Sequence, residues 1–263
     1  MKLLIEYGAN VNAEGGKYGN ALQAAVKSYQ SNKAIVKLLL DNGAEVNAQG
    51  RYGNALHAAS SSDNETIVKL LLENGADVNV KGGKYENALQ AVVESYQSNE
   101  AIVKLLLVNG ADVNAQGGEY GNALQAASFR GHNVIVKLLI ENVAEVNADG
   151  GRFGNALQAA SFSGNEDIVK LLLENEAKVN ADGGEYGNAL QAASYKGNEA
   201  IVKLLLKNGA DVNAQGGEYG NALQAASFSG NVEIVDLLLE NGAEVNANGK
   251  YGYALLSALT MRL

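Results

Sequence analysis

The chain has 263 residues, with 31 glycines and 12 tyrosines but no proline, cysteine or tryptophan. Average usage would supply about 13 prolines and about 18 glycines, so glycine alone shapes the turns, and the missing cysteine excludes disulfides, thiolate nucleophiles and cysteine-ligated metals. The net charge of −9 falls mostly on the second half, −2 over residues 1–131 against −7 over residues 132–263, which disfavours nucleic acid and favours a basic partner surface there.

In chain order, residues 1–13 read as a short helix followed by the exit Gly-Ala-Asn-Val-Asn-Ala. From residue 14 one text recurs. Asn-Ala-Leu begins at Asn20, Asn54, Asn87, Asn122, Asn155, Asn188 and Asn221, in steps of 34, 33, 35, 33, 33 and 33 residues. A degraded copy begins at Tyr253. A second marker, Val-Asn, places its asparagine at 12, 47, 79, 114, 147, 180, 213 and 246. A fixed period of this size means stacked structural repeats.

Each repeat reads as two helices and a glycine-rich connection. In the copy from Asn221, the asparagine is a good N-cap, and Ala-Leu-Gln-Ala-Ala-Ser-Phe makes a short first helix that ends at Ser229-Gly230-Asn231. The second helix carries Ile234, Val235, Leu237, Leu238 and Leu239, apolar on nearly every side except position 236 and so expected between neighbours. It stops at Asn241-Gly242, where glycine takes the left-handed conformation that closes a helix. Two such helices bury too little alone, but stacked copies share a core. The predicted fold class is therefore all-α, a helix-turn-helix solenoid with short β-hairpin or turn connections. It is one domain over 1–263, with a half repeat at 1–13, seven full repeats at 14–248 and a half repeat at 249–263.

The period, Ile-Val-Lys-Leu-Leu-Leu, and Asn208-Gly-Ala-Asp-Val-Asn-Ala214 resemble the ankyrin repeat along essentially the whole chain. Asn-Ala-Leu-Gln-Ala-Ala stands where the family has Thr-Pro-Leu-His-x-Ala. The wording is similar to ankyrin arrays of filamentous fungi that are often attached to NACHT-type receptors. Alanine replaces the family proline at every first-helix start. Only His57 keeps the family histidine; Gln23, Gln90, Gln125, Gln158, Gln191 and Gln224 replace it, and glutamine also donates and accepts. Val143 and Glu176 occupy exits where the other repeats have glycine, so Val143 is expected to be strained or its helix to end differently. Insertions at Ser28–Asn32 and Ser95–Asn99 predict small protrusions between helices. Leu3, Leu4 and Ile5 at one end, and Leu255, Leu256 and Leu259 at the other, lack polar capping repeats. That suggests a fragment of a longer array or, alternatively, end-to-end self-association.

The resemblance implies a scaffold that binds protein through its hairpin tips and the inner face of its first helices. One variable column is the third residue of Gly-Gly-x-Tyr: Lys17, Arg51, Lys84, Glu119, Arg152, Glu185, Glu218 and Lys250, basic early and mostly acidic later. The other is aromatic. Phe129, Phe162, Tyr195 and Phe228 recur at steps of 33, four positions after the glutamine and so on its face. At ~8–10 Å per helix they would form a stripe roughly 25–30 Å long. Binding stripe and interrepeat packing both fit this pattern. The varied flanks Arg130, Ser163, Lys196 and Ser229 favour recognition, whereas the hairpin aromatics Tyr18 to Tyr251 read as structural.

Enzyme motifs are missing: there is no Gly-x-Ser-x-Gly, phosphate loop or zinc-ligand spacing. No catalytic residue, cofactor or metal is predicted. Apolar runs of a few residues cross no membrane, and Met1 to Glu6 shows no secretory leader, so the expected location is the cytoplasm. Two further readings stay open, a spacer or self-assembling array and a small-molecule or biosynthetic site in the groove.

Overall fold

Asparagine opens every first helix. The side-chain oxygens of Asn20, Asn54, Asn87, Asn122, Asn155, Asn188 and Asn221 accept the backbone N–H three residues on, at 2.8–3.0 Å. In four helices the third residue reciprocates and accepts the cap's own N–H, as Gln125 does for Asn122 at 2.8 Å. This capping box satisfies two of the helix's orphan donors. It fixes the helix start that proline fixes elsewhere, so alanine can stand at the first turn.

The computed structural model describes residues 1–28, 33–50, 53–95, 97, 99–247 and 252–254. The chain divides into two compact units. The N-terminal unit, Met1–Gly118, holds α1 (Lys2–Glu6), α2 (Ala21–Lys27), α3 (Lys33–Asp41), α4 (Ala55–Ser60), α5 (Glu65–Glu73), α6 (Ala88–Val93) and α7 (Glu100–Val108). The C-terminal unit, Glu119–Leu263, holds α8 (Ala123–Arg130), α9 (Asn133–Glu141), α10 (Ala156–Ser163), α11 (Glu166–Glu174), α12 (Ala189–Lys196), α13 (Glu199–Lys207), α14 (Ala222–Ser229) and α15 (Val232–Glu240). Within each unit first helices pack on first helices and second on second, and each first helix packs on its own second. The core is the alanine and leucine of the first helices with the isoleucine, valine and one leucine of the second, such as Ala159, Leu157, Ile168, Val169 and Leu172. The remaining leucines of the second helices are less covered than their apolar density suggested: Leu173 is half-buried and Leu239 is exposed.

The exits obey one geometry whatever residue fills them. At Asn208-Gly209, Gly209 has φ +84° and its N–H meets Leu206 O, while Ala210 N–H meets Leu205 O, both at 3.0 Å. This is a Schellman closure. Val143 and Glu176 adopt the same left-handed backbone, at φ +67° and +64°, with the same pair of bonds to the preceding helix. Of the two outcomes open for Val143, the structure therefore shows the strained one.

Two side-chain ladders tie repeats together. Glutamine Nε2 reaches the next repeat's exit and turn: Gln125 donates to Ala148 O and Gly154 O, Gln158 to Ala181 O and Gly187 O, and Gln191 to Ala214 O and Gly220 O, at 2.7–3.1 Å. The Val-Asn asparagine clamps the neighbouring exit. Asn147 donates to Glu176 O and accepts from Lys178 N–H, and Asn180 does the same with Gly209 and Asp211, at 2.8–3.0 Å. Both markers thus recur because each crosses a repeat boundary. The connections are turns closed by single bridges such as Gly183 to Gly187, with no strand among the described residues, so the expected β-hairpins are reduced to their closing bridge. The protrusions predicted at Ser28–Asn32 and Ser95–Asn99 fall largely outside the described residues, as do Leu255, Leu256 and Leu259.

Candidate protein-interaction surface

The aromatic column of the C-terminal unit does not stand alone. Each first helix ends on a ring exactly nine residues after the turn aromatic of the same repeat, and the two sets interleave. Tyr120 packs on Phe129 (centroids 5.0 Å apart), Phe129 on Phe153 (4.8 Å), Phe153 on Phe162 (5.0 Å) and Phe162 on Tyr186 (4.5 Å). The series continues with Tyr195 (5.4 Å), Tyr219 (4.7 Å) and Phe228 (5.0 Å). Eight rings form one continuous stack at separations typical of favourable aromatic pairs. The turn rings are buried, Phe153 to 1 % exposure, whereas the four helix rings are only half-buried. Packing and exposure are therefore shared between the two sets of rings. Along the helix column the rings step by 6.2, 6.4 and 6.4 Å, shorter than the helix spacing used above, so the stripe is more compact than the sequence suggested.

Burial also sets the ionisation of the stack. It pushes the Tyr186 phenol up to about 12, helped by the adjacent Glu185 carboxylate. Tyr219 is raised as well, by burial first and then by its hydrogen bond to Tyr195. Both phenols stay neutral at physiological pH.

Cations lie against this stack. Arg130 Cζ is 5.7 Å from the Tyr120 ring and 6.0 Å from Phe129, Arg152 Cζ is 5.5 Å from Phe153, and Lys196 Nζ is 4.9 Å from Phe162. Such placements are attracted by the ring quadrupole. At the turn tips, Arg152 Nε donates to Glu185 at 2.6 Å and its guanidinium lies 3.9 Å from Glu119. The hydrogen bond with Glu185 raises the Arg152 pKa and holds the Glu185 carboxyl below its ordinary range. Three tips of the sequence column, Glu119, Arg152 and Glu185, thus form one ion-paired group, with Glu218 next along.

The tips also share a backbone ladder. Arg152 N–H donates to Glu119 O, Glu185 N–H to Arg152 O and Glu218 N–H to Glu185 O, at 2.9–3.0 Å. Along this ladder the second glycine of the pair, Gly151, Gly184 or Gly217, makes the approach possible. A Cβ at Gly184 would overlap the Phe153 carbonyl carbon, and one at Gly217 would overlap Tyr186.

The N-terminal unit builds the same edge without stacked helix rings. Lys27 occupies the aromatic position and donates to Ser61 Oγ at 2.8 Å and Ser62 Oγ at 3.1 Å, and burial lowers its pKa. Ser95 donates to the Asp63 carboxylate at 3.0 Å. Lys17 and Lys84 are exposed over their own tyrosines, 5.4 Å from Tyr18 and 5.1 Å from Tyr85. Arg51 lies outside the described residues, as does Lys250. His57 is buried in the glutamine ladder. Its Nδ1 accepts Asn54 N–H at 2.9 Å, and burial lowers its pKa against the raising effect of the Glu86 and Val80 carbonyls.

A family model described as ankyrin repeats (3 copies) matches residues 1–82, 89–183 and 180–249. The chain belongs to the ankyrin-repeat family. Ankyrin repeats are generally protein-protein interaction modules, and the fold is an interaction fold rather than an enzymatic one. No curated protein matches the chain. Among the described residues no helix is long and apolar enough to cross a membrane, and no three His, Asp or Glu side chains gather where a metal ion could sit.

Sequence reasoning placed the ankyrin helix rings correctly on one face but assigned the turn rings to a separate structural role. The missed signal was the constant interval between them: Tyr120 to Phe129, Phe153 to Phe162, Tyr186 to Tyr195 and Tyr219 to Phe228. Two columns locked at one offset through four repeats touch each other in a stacked array.

Proposed function

We propose that this ankyrin array is a scaffold that binds a protein partner along the half-exposed ring edge of its C-terminal unit and the adjoining turn tips. The single observation that carries the reading is that Phe129, Phe162, Tyr195 and Phe228 are half-buried, while the turn rings stacked between them are buried. Aromatic side chains anchor interfaces because they bury a large area at low entropic cost. Arg130 and Lys196 flank that edge as contact residues, with Glu119, Arg152, Glu185 and Glu218 lining the tip side. Lys17, Arg51 and Lys84 give the N-terminal tips a basic character that suits a different part of the partner. The charge of −7 over residues 132–263 favours a partner that is basic over its larger surface. The array acts as one binding module over residues 1–263, in the cytoplasm, with no catalysis and no cofactor.

The experiment is crosslinked capture with the full chain, comparing wild type with Phe129→Leu and Phe228→Leu, and with far-UV circular dichroism recorded on each. Loss of a specific captured protein at unchanged helicity supports the reading. Identical capture by all three chains overturns it.

A second reading rests on a separate observation. Leu3 is 64 % and Leu4 65 % exposed on α1, and Tyr7 is 86 % exposed beside them. A second copy covering this face would make the chain a self-assembling array. Sedimentation of wild type against Leu3→Lys with Leu4→Lys tests it, since a concentration-independent monomer in both removes the idea.

A further inference from the structure

We propose that the ring edge of the C-terminal unit takes an extended peptide segment. Its apolar side chains fall at alternate positions and its acidic residues at the end that lies beside Arg130 and Lys196. This rests on the stripe reading above and names the ligand class of that same surface.

The spacing of the rings decides the conformation. Within the helix column they step by 6.2, 6.4 and 6.4 Å. An extended strand rises about 3.2–3.4 Å per residue, so residues two apart are about 6.4–6.8 Å apart and point to the same face. Every second side chain therefore meets one ring, and the register holds across all four. A helix matches the step only through residues four apart, about 6.0 Å along its axis. Those residues are rotated by about 40° beyond a full turn at each step, from 3.6 residues per turn. After three steps the fourth apolar side chain points about 120° away from the rings. A seven-residue extended segment spans the stripe, and a helix loses it.

The charges give the segment a direction. Lys137, Arg152, Lys170 and Lys203 of this unit each have a carboxylate within ion-pair distance. Among the described residues Arg130, Lys178, Lys196 and Lys207 have none, and of these four Arg130 and Lys196 lie against the rings. They are exposed, held over Tyr120 and Phe129 and over Phe162. Both cations thus sit at the Phe129–Phe162 end. Beside Phe228 the equivalent position is Ser229 and the tip residue is Glu218, whereas the corresponding tip Glu119 of the Phe129 repeat lies 3.9 Å from the Arg152 guanidinium. Carboxylates are therefore drawn to one end of the stripe and repelled from the other. The acidic excess of the whole half acts at longer range, but screening within about 8 Å at physiological salt leaves the local cations to set the contact.

The test uses three fluorescein-labelled peptides and the full chain, read by anisotropy. One is an eight-residue peptide with leucine at alternate positions, serine between and two aspartates at one end. One is its composition isomer with the leucines in a block. The third is a helix-forming peptide with leucine at every fourth position and two aspartates at one end. The expected result is that the alternating peptide binds at least tenfold more tightly than either other, and that Arg130→Glu with Lys196→Glu weakens it at least tenfold at unchanged helicity. Equal affinity for the alternating peptide and its isomer, indifference to the charge reversal, or no binding by any peptide overturns the proposal. Tighter binding of the helical peptide, lost on Phe228→Leu, overturns the extended conformation alone and leaves the interaction stripe standing.

Discussion

The two units write one repeat in two ways. In the C-terminal unit the first helices run eight residues and end on a left-handed glycine, Gly131, Gly164, Gly197 or Gly230, and the ring before that end joins a continuous stack. In the N-terminal unit the described first helices run six or seven residues, and the ring position holds Lys27, Ser61 and Glu94. Contact there passes through hydroxyls and charges, Lys27 to Ser61 and Ser62, and Ser95 to Asp63. The cap asparagine, the alanine-leucine core and the exit asparagine are common to both. What stays constant is what pairs buried backbone groups across or within a repeat, because an unpaired group there costs about 1–3 kcal/mol. What changes is the solvent edge, where either rings or polar groups can close the stack.

The sharpest way to break this comparison is at the paired glycines. Gly184→Ala puts a methyl group into the Phe153 backbone and holds alanine at φ +64°. The left-handed penalty of about 1–2 kcal/mol and an overpacking term of about 1–3 kcal/mol give a loss near 3 kcal/mol. Gly16→Ala in the N-terminal unit meets nothing within 4 Å and carries only the backbone term at φ +69°, about 1 kcal/mol. Urea denaturation of both variants checks the difference. Equal losses would mean that the tip ladder contributes nothing beyond backbone conformation.

Next in size is the ring column itself. Phe162→Ala removes a half-buried ring that touches Phe153 and Tyr186. The loss expected is about 2–3 kcal/mol, below the 3–5 typical of a fully buried phenylalanine. Lys27→Ala at the matching position loses two hydrogen bonds to partly exposed hydroxyls, under about 1 kcal/mol. If the lysine variant lost as much as the phenylalanine variant, the polar edge would be as strong a brace as the stack.

The exits offer a gain rather than a loss. Val143 is 80 % exposed, yet it holds a left-handed backbone at φ +67°. Val143→Gly should therefore stabilise by about 1–2 kcal/mol. An unchanged or lower denaturation midpoint would show that the helix end relaxes without that cost.

How far the fold could be read from the chain follows from which interactions are periodic. The repeat, the two-helix unit, the asparagine caps and the glycine exits were legible because each is a local rule that recurs along the chain. The glutamine column was legible as a structural replacement for histidine, although its two acceptors, such as Ala148 O and Gly154 O for Gln125, lie 23 and 29 residues away and needed coordinates. The aromatic column was only half legible. Spacing put Phe129, Phe162, Tyr195 and Phe228 on one face, but their exposure depended on where the turn rings fold. That in turn depends on the Gly-Gly backbone, whose close approach no periodicity reveals. The pairing of Glu119, Arg152 and Glu185 was hidden for the same reason, since an alternating column reads equally as independent tips.

The smallest expected effects separate the two units by pH, and their signs are opposite. His57 in the N-terminal unit has its pKa lowered by burial, so the unfolded chain takes up a proton near the ordinary histidine value while the folded chain still resists it. The stability it contributes is complete above about pH 6.5 and drains away as pH falls from there toward the folded pKa. Tyr186 in the C-terminal unit is an acid raised to about 12. Its contribution is complete below about pH 10 and is lost as pH rises through the interval up to the folded value. His57→Gln, which writes the residue of the other six repeats, should flatten the melting temperature between pH 6.5 and 5 and leave the alkaline limb alone. Tyr186→Phe should keep the ring contacts, flatten the alkaline limb, and remove one phenolate step from the absorbance titration near pH 12. If His57→Gln flattened the alkaline limb, or Tyr186→Phe the acidic one, the assignment of each limb to its own buried group would fail.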